Sequence, residues 1–204
     1  VTDALTPPDA SVERLVGFTN GVVAIAITLI ALPLVDTARS VGSRPALDFL
    51  AANLLSLSAA ALSFVVIAAF WKDHHRLYRT VTGSTTALIN ANLVWLASIV
   101  FLPVPTVLIV NSPGHDPVAA GVYIATVLVA EVSIRVQKVI LTRRGLLGAG
   151  TEASSRFVWA DWILVLLTLV ALIVAVLLPV TSLYPLVLIV LARPIKWLAL
   201  GDSR

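Results

Sequence analysis

The sequence predicts an all-α integral membrane protein that crosses the bilayer six times. Three observations carry this. Of 204 residues, 59% are hydrophobic and only 12% charged. Mean hydropathy is +1.00. The apolar residues gather into six runs, with Lys and Arg concentrated at alternate run ends. A soluble domain is about 45–50% apolar and about 25% charged, so the composition argues against a soluble enzyme. Disorder requires the opposite balance. A β-barrel would show ~10-residue alternating segments, and the runs here are long and unbroken. A helix of about 20 residues, rising ~1.5 Å per residue, crosses a ~30 Å hydrocarbon core. There are no cysteines, which removes disulfides and thiolate metal sites.

The first run spans about Leu15 to Leu34. Residues 1–13 carry Asp3, Asp9 and Glu13 but no basic residue. A secretory leader should be basic, so this reads as a retained helix behind a short acidic segment. The second run spans Leu47 to Phe70, and the third Thr86 to Val110, interrupted by Pro103 and Pro105. The fourth spans Val118 to Ile134. The fifth, Ile163 to Leu178, is preceded by Phe157, Trp159 and Trp162. The sixth is short, Leu183 to Ala192, followed by Arg193 and Lys196. Only 145–155 has linker-like composition and no internal repeat is visible, so residues 1–204 read as one six-helix membrane domain.

Charge orients this bundle. With six spans, one side holds twelve of the fourteen Lys and Arg: Arg14; Lys72, Arg76, Arg79; Arg135, Lys138, Arg143, Arg144, Arg156; Arg193, Lys196, Arg204. The other side holds Arg39 and Arg44. The positive-inside rule makes the rich side cytoplasmic, with both termini on it. The net charge of +3 therefore reports topology rather than nucleic-acid binding. A second reading of Arg143 and Arg144 is attraction to anionic lipid.

The first helix carries two stripes. Bulky residues recur at Phe18, Val22, Ile25, Leu29 and Leu32, and small ones at Gly17, Gly21, Ala24, Thr28 and Ala31. At about 100° per residue the stripes lie roughly 90° apart. Small stripes let helices approach closely in lipid. The bulky stripe has two readings. It faces lipid or the bundle core, the commoner arrangement, or it lines a central axis as a hydrophobic constriction. Spacing does not decide between them. At the basic end, Arg14, Thr19 and Asn20 meet the levels of Trp71, His74 and His75 on span two, and of Asn90 and Asn92 on span three. An intramembrane amide needs partners, so a cluster of Arg14, Asn20, His and Asn clamping three helices is expected. Arg14 also reads as a snorkelling side chain.

These residues carry a resemblance. Arg14-x-x-x-Phe18-Thr19-Asn20-Gly21 followed by Ala24-Ile25-Ala26-Ile27-Thr28-Leu29 resembles the start of the transmembrane protein 175 family, the endolysosomal potassium channels and their bacterial relatives. Trp71-Lys-Asp-His74-His75-Arg-Leu and Asn92-Leu-x-Trp-Leu, leading to Leu102-Pro103-Val-Pro105-Thr106, resemble two further family segments. The resemblance covers roughly the first 110 residues. It implies six helices per repeat with both ends cytoplasmic, and a homotetramer for single-repeat bacterial members, the first helix lining the pore. It implies a pore constriction at Ile25, with Leu29 and Leu32 as further bulky pore positions, and an ion-selectivity role for Thr28. It implies that Arg14, Phe18, Thr19 and Asn20 form the signature segment, bonded to His74 or His75 and to Asn92, with Trp71 in the same helix-clamp network. The implied activity is potassium-preferring passive conduction, without a carbonyl filter loop. The sequence departs from the family's Phe-Ser-Asp. Thr19 keeps the hydroxyl, while Asn20 removes the carboxylate, so an Arg14 salt bridge at that position is lost.

Other polar residues read as structural. Glu131 and Arg135, one turn apart, neutralise each other. Asp161 suits a helix start. His115 lacks ligand companions, and His74 and His75 diverge by about 100°, so no metal site is expected. No catalytic set or cofactor motif is visible, so an enzyme is not expected. Potassium enters as the permeant ion, and the partners are the bilayer and identical subunits, with no nucleic acid or soluble substrate. A bacterial plasma membrane is the expected location. The rival reading is a proton-coupled transporter or exchanger titrating Glu131 or the His pair. A third reading is a structural scaffold.

Overall fold

The computed structural model describes residues 10–39, 45–112, 116–148 and 155–177, with side chains in the last segment described from Trp162 onward. The described residues are helical in seven segments: α1 (Ala10–Arg39), α2 (Ala46–Ala52), α3 (Leu54–Tyr78), α4 (Thr86–Phe101), α5 (Pro103–Asn111), α6 (Pro117–Arg144) and α7 (Ser155–Leu177). Among the described residues, four stretches are long and apolar enough to cross a membrane: Ala10–Arg39, Leu54–Tyr78, Thr86–Asn111 and Pro117–Arg144. A shorter apolar helix follows at Trp162–Leu177. The expected sixth run lies outside the described residues, as do Arg44 and His115. The side chain of Asp161 also lies outside them.

Two expected runs are divided. The run from Leu47 breaks at Asn53, whose φ of −111° and ψ of 19° leave the helical region. Asn53 Nδ2 donates to the Phe49 carbonyl at 2.9 Å, which offers the backbone an alternative to the ladder. The spanning helix is therefore α3, and it continues past Phe70 to Tyr78. The run from Thr86 breaks at Leu102. Pro103 and Pro105 have no N–H to give the preceding turn. Leu102 N–H tightens onto the Ile99 carbonyl at 3.3 Å, and Thr106 Oγ1 donates to the Leu102 carbonyl at 2.8 Å. The two prolines thus separate α4 from α5 within a single span. Pro33 does not end α1, which runs on to Arg39.

α6 is the central helix. Asp116 caps it, accepting from Val118 N–H at 2.8 Å, with Pro117 in the first turn. Its end is a Schellman turn. Gly145 takes the left-handed conformation (φ 63°). Gly145 N–H donates to the Thr142 carbonyl and Leu146 N–H to the Leu141 carbonyl. α6 packs chiefly on α4 and α7, while α1 packs on α3 and α4. The main core includes Ala26, Ile67, Phe70, Trp95, Ile99 and Ile124.

A second, smaller core closes one end. Val12 of α1, Tyr78, Val81, Leu88 and Leu141 form it. Backbone bonds seal the same end: Thr82 N–H donates to the Leu146 carbonyl at 3.0 Å, and Gly148 N–H to the Thr80 carbonyl at 2.7 Å. Ser11 and Ser84 share a hydroxyl bond at 2.8 Å. The start of α1, the α3–α4 loop and the end of α6 are thereby tied together. Arg14, Lys72, Arg76, Arg79, Arg143 and Arg144 all belong to this end, while Arg39 lies at the far end of α1 beside Asp36.

Candidate permeation helix and its polar clamp

α1 has a buried face and an outer face. Val12, Thr19, Val23, Ala26 and Ile30 are buried, at spacings that keep them on one side of the helix. Apart from half-buried Val22, which packs against the main core, both stripes seen in the sequence lie away from it. Phe18, Ile25, Leu29 and Leu32 are 56%, 60%, 39% and 50% exposed. Gly17 and Gly21 meet no other atom within 4 Å of a would-be Cβ. Ala24, Thr28 and Ala31 are exposed as well. Val22 apart, neither stripe packs against the protomer's own core, which leaves the bulky stripe facing lipid or a neighbouring copy.

Thr28 combines exposure with an oriented hydroxyl. Its Oγ1 donates to the Ile25 carbonyl at 2.7 Å. The hydroxyl proton is thus committed to the backbone, and the oxygen lone pairs remain outward. This places an acceptor oxygen one turn from Ile25 on the outer face.

The inner face carries the clamp. Thr19 is fully buried and accepts from Asn92 Nδ2 at 2.9 Å. Asn92 Oδ1 lies 2.9 Å from His74 Nε2. With the amide so oriented, Oδ1 accepts, and a neutral His74 carries its proton on Nε2. The imidazole is held between two rings, 4.1 Å from Tyr78 and 4.5 Å from Trp95, nearly parallel to both. One chain of contacts therefore joins α1, α4 and α3. A second, separate bond runs from Trp71 Nε1 to Asn20 Oδ1 at 3.0 Å. Trp71 also stacks on His75, with centroids 5.4 Å apart.

The expected single cluster is therefore two contacts, distributed differently. Thr19 rather than Asn20 meets Asn92, and Trp71 rather than a histidine meets Asn20. His74, not His75, is the buried imidazole. Arg14 stands apart: among the described residues it is exposed and contributes to neither bond. Asn90 is also exposed. The reason is helical phase. Thr19 and Asn20 point about 100° apart, so one segment addresses two neighbours.

Sequence reasoning missed two further polar contacts. Tyr78 OH donates to Gln137 Oε1 at 2.9 Å, and Gln137 Nε2 reaches the Ala91 carbonyl at 3.4 Å. Ser63 Oγ bonds Thr106 Oγ1 at 2.7 Å and Tyr123 OH at 3.2 Å. A lone glutamine in an apolar helix was the available signal. Glu131 is fully buried, and Arg135, one turn on and also buried, donates from Nη1 to the Glu131 carbonyl at 3.2 Å. Among the described residues no group of His, Asp and Glu is placed to hold a metal ion.

This geometry has known counterparts. The family profile described as endosomal/lysosomal potassium channel TMEM175 matches residues 14–103, which contain most of α1, all of α3 and α4, the clamp and Pro103. A potassium channel of Streptomyces collinus is 31% identical over 135 residues, covering 65% of this chain and 65% of the relative. A potassium channel of Chamaesiphon minutus is 33% identical over 127 residues, covering 57% of this chain and 59% of the relative. The chain thus spans less than two thirds of the length of either relative. The crystal structure of a lysosomal potassium-selective channel TMEM175 homolog from Chamaesiphon minutus superposes with a TM-score of 0.71 at 24% identity, covering 92% of this chain and 98% of that one. At that identity the superposition speaks for the fold.

Proposed function

We propose that this multi-pass membrane protein is a member of the TMEM175 family and a potassium-preferring cation channel whose pore is lined by α1 from four identical subunits. One observation carries the reading. α1 presents four bulky apolar residues, Phe18, Ile25, Leu29 and Leu32, outward from its own protomer. Beside them runs a small-residue stripe in which Gly17 and Gly21 have open space. Small stripes are where membrane helices approach one another. Contact between copies through that stripe turns the bulky stripe toward a shared axis. A ring of Ile25 side chains there, followed by Leu29 and Leu32, is a hydrophobic constriction that gates by dewetting.

Thr28 supplies the adjacent oxygen. Four such acceptors near the narrowest ring replace part of an ion's hydration without a carbonyl filter loop. The clamp sets where α1 stands. Thr19 to Asn92 to His74, and Asn20 to Trp71, fix its rotation so that Ile25 faces the axis rather than a neighbour. The basic end is cytoplasmic by the positive-inside rule, in a bacterial plasma membrane. No step of this reading is enzymatic. The exchanger alternative needs Glu131 to titrate, and Arg135, buried one turn away, donates to the Glu131 backbone carbonyl.

Potassium flux into proteoliposomes, with sodium in parallel, tests the proposal. Passive, voltage-dependent, potassium-preferring flux is expected. Ile25→Asn wets the constriction and raises flux or relaxes selectivity. Flux unchanged by Ile25→Asn refutes the constriction. Uptake only under a proton gradient refutes the channel.

A further inference from the structure

The end of the bundle sealed by the Val81–Leu147 bridge carries, besides Arg14 on α1, four exposed arginines at the ends of α3 and α6. Arg76 and Arg79 close α3, and Arg143 and Arg144 form the last turn of α6. Among the described residues none of the four takes part in an ion pair, although Asp73 and Glu13 are exposed at the same end. Lone basic residues at span ends commonly report orientation only. Here the framework is fixed. Thr82 N–H to the Leu146 carbonyl and Gly148 N–H to the Thr80 carbonyl hold the two helix ends together. Leu146 packs into the small core beside Tyr78 and Leu88, with its Cδ2 3.3 Å from a Cβ placed on Gly83. The four exposed arginines thus stand at two helix ends that backbone bonds hold together. Arginine forks bind phosphate oxygens bidentately.

We propose that Arg76, Arg79, Arg143 and Arg144 form a binding surface for the headgroup of an anionic phospholipid in the adjoining leaflet. The headgroup phosphate is the ligand chemistry, and its acyl chains lie along the apolar sides of the same helices. The orientation of this surface rests on the cytoplasmic assignment above, but binding itself does not depend on conduction.

Native mass spectrometry of the full chain, purified with added phosphatidylglycerol or phosphatidylcholine, reads the site directly. The wild type is expected to retain phosphatidylglycerol in preference to phosphatidylcholine. Each arginine changed to Gln weakens retention by about fivefold, the equivalent of the surface attraction of one basic residue. Arg143→Gln with Arg144→Gln keeps the Gly145 turn intact and isolates the α6 half. Arg39→Gln, at the far end of α1, should retain lipid as the wild type does. Equal retention of both lipids overturns the proposal. So does phosphatidylglycerol retention unaffected by the double change, or displacement of the lipid by inorganic phosphate alone. The readout is bound lipid rather than flux, so a non-conducting preparation leaves the test intact.

Discussion

Replacing Asn92 with leucine removes two interhelical hydrogen bonds at nearly constant volume. Thr19 loses its donor at 2.9 Å and His74 loses the partner of Nε2, also at 2.9 Å. The two losses are unequal. The Thr19 hydroxyl can turn back onto a carbonyl of its own helix. His74 cannot re-pair, because Tyr78 and Trp95 hold its ring on both faces. An interhelical bond in a membrane protein contributes about 0.6 kcal/mol on average and up to about 1.7. A buried group left unsatisfied costs about 1–3 kcal/mol. The histidine dominates, and the sum is about 2 kcal/mol. At about 2–4 °C per kcal/mol for a chain of this size, the melting temperature in detergent falls by roughly 4–8 °C. Thr19→Val removes one acceptor and leaves Asn92 able to keep His74, so its effect is about half as large. The double variant decides the matter. Residues that share a bond show a coupling term, and independent ones add. With Asn92 already gone, Thr19→Val should cost almost nothing further. Strict additivity of the two melting shifts would refute the clamp.

Three further outcomes follow from the same geometry. Gly145→Ala meets no neighbour within 4 Å, so its cost is the left-handed backbone alone, roughly 1–2 kcal/mol, seen as a modest fall in melting temperature with assembly unchanged. Gly21→Leu fills space that is open in the protomer. It should leave helicity by circular dichroism intact while shifting the size-exclusion peak from tetramer to protomer, and a surviving tetramer removes the small stripe from the subunit contact. Thr28→Val deletes the outward acceptor and should lower the potassium-to-sodium flux ratio, whereas Thr28→Ser should preserve it. Equal ratios in both would take selectivity away from Thr28.

What was legible in the sequence is what depends on one helix at a time. Composition and run length marked the four described spans, and the phase of Phe18, Ile25, Leu29 and Leu32 put them on one outer face, while Val22 of the same stripe packs on the core. Basic residues at alternate run ends placed Arg76 and Arg143 at one end of the bundle, where backbone bonds now join those helix ends. The breaks at Asn53 and Leu102 were less visible. Pro103 announced the second, but an asparagine that bonds its own helix is indistinguishable in sequence from one that bonds a neighbour. The same ambiguity hid the partner assignment. Thr19 and Asn20 were both credible ligands for Asn92, and choosing needs the rotation of α1 relative to α4. Gln137 and Ser63 were overlooked because single polar residues carry no periodicity.

The distribution of these polar contacts explains why so apolar a chain adopts one arrangement. In lipid, apolar surface gains little by leaving one helix face for another, so apolar burial does not select among packings. Hydrogen bonds do, since an unmatched polar group has no water to return to. Each inner contact here joins different helices. Thr19, Asn92 and His74 join α1, α4 and α3. Tyr78, Gln137 and the Ala91 carbonyl join α3, α6 and α4. Ser63, Thr106 and Tyr123 join α3, α5 and α6. Rotating α3 by one residue breaks all three sets at once. Besides the Ser11–Ser84 bond at its start, α1 enters the first set and the Asn20–Trp71 bond, both within one turn of its length. Beyond that turn Val23, Ala26 and Ile30 hold it through apolar contact alone. The helix is therefore fixed in rotation at the clamp, and at Ile25, Leu29 and Leu32 its outer face depends on what assembles around it.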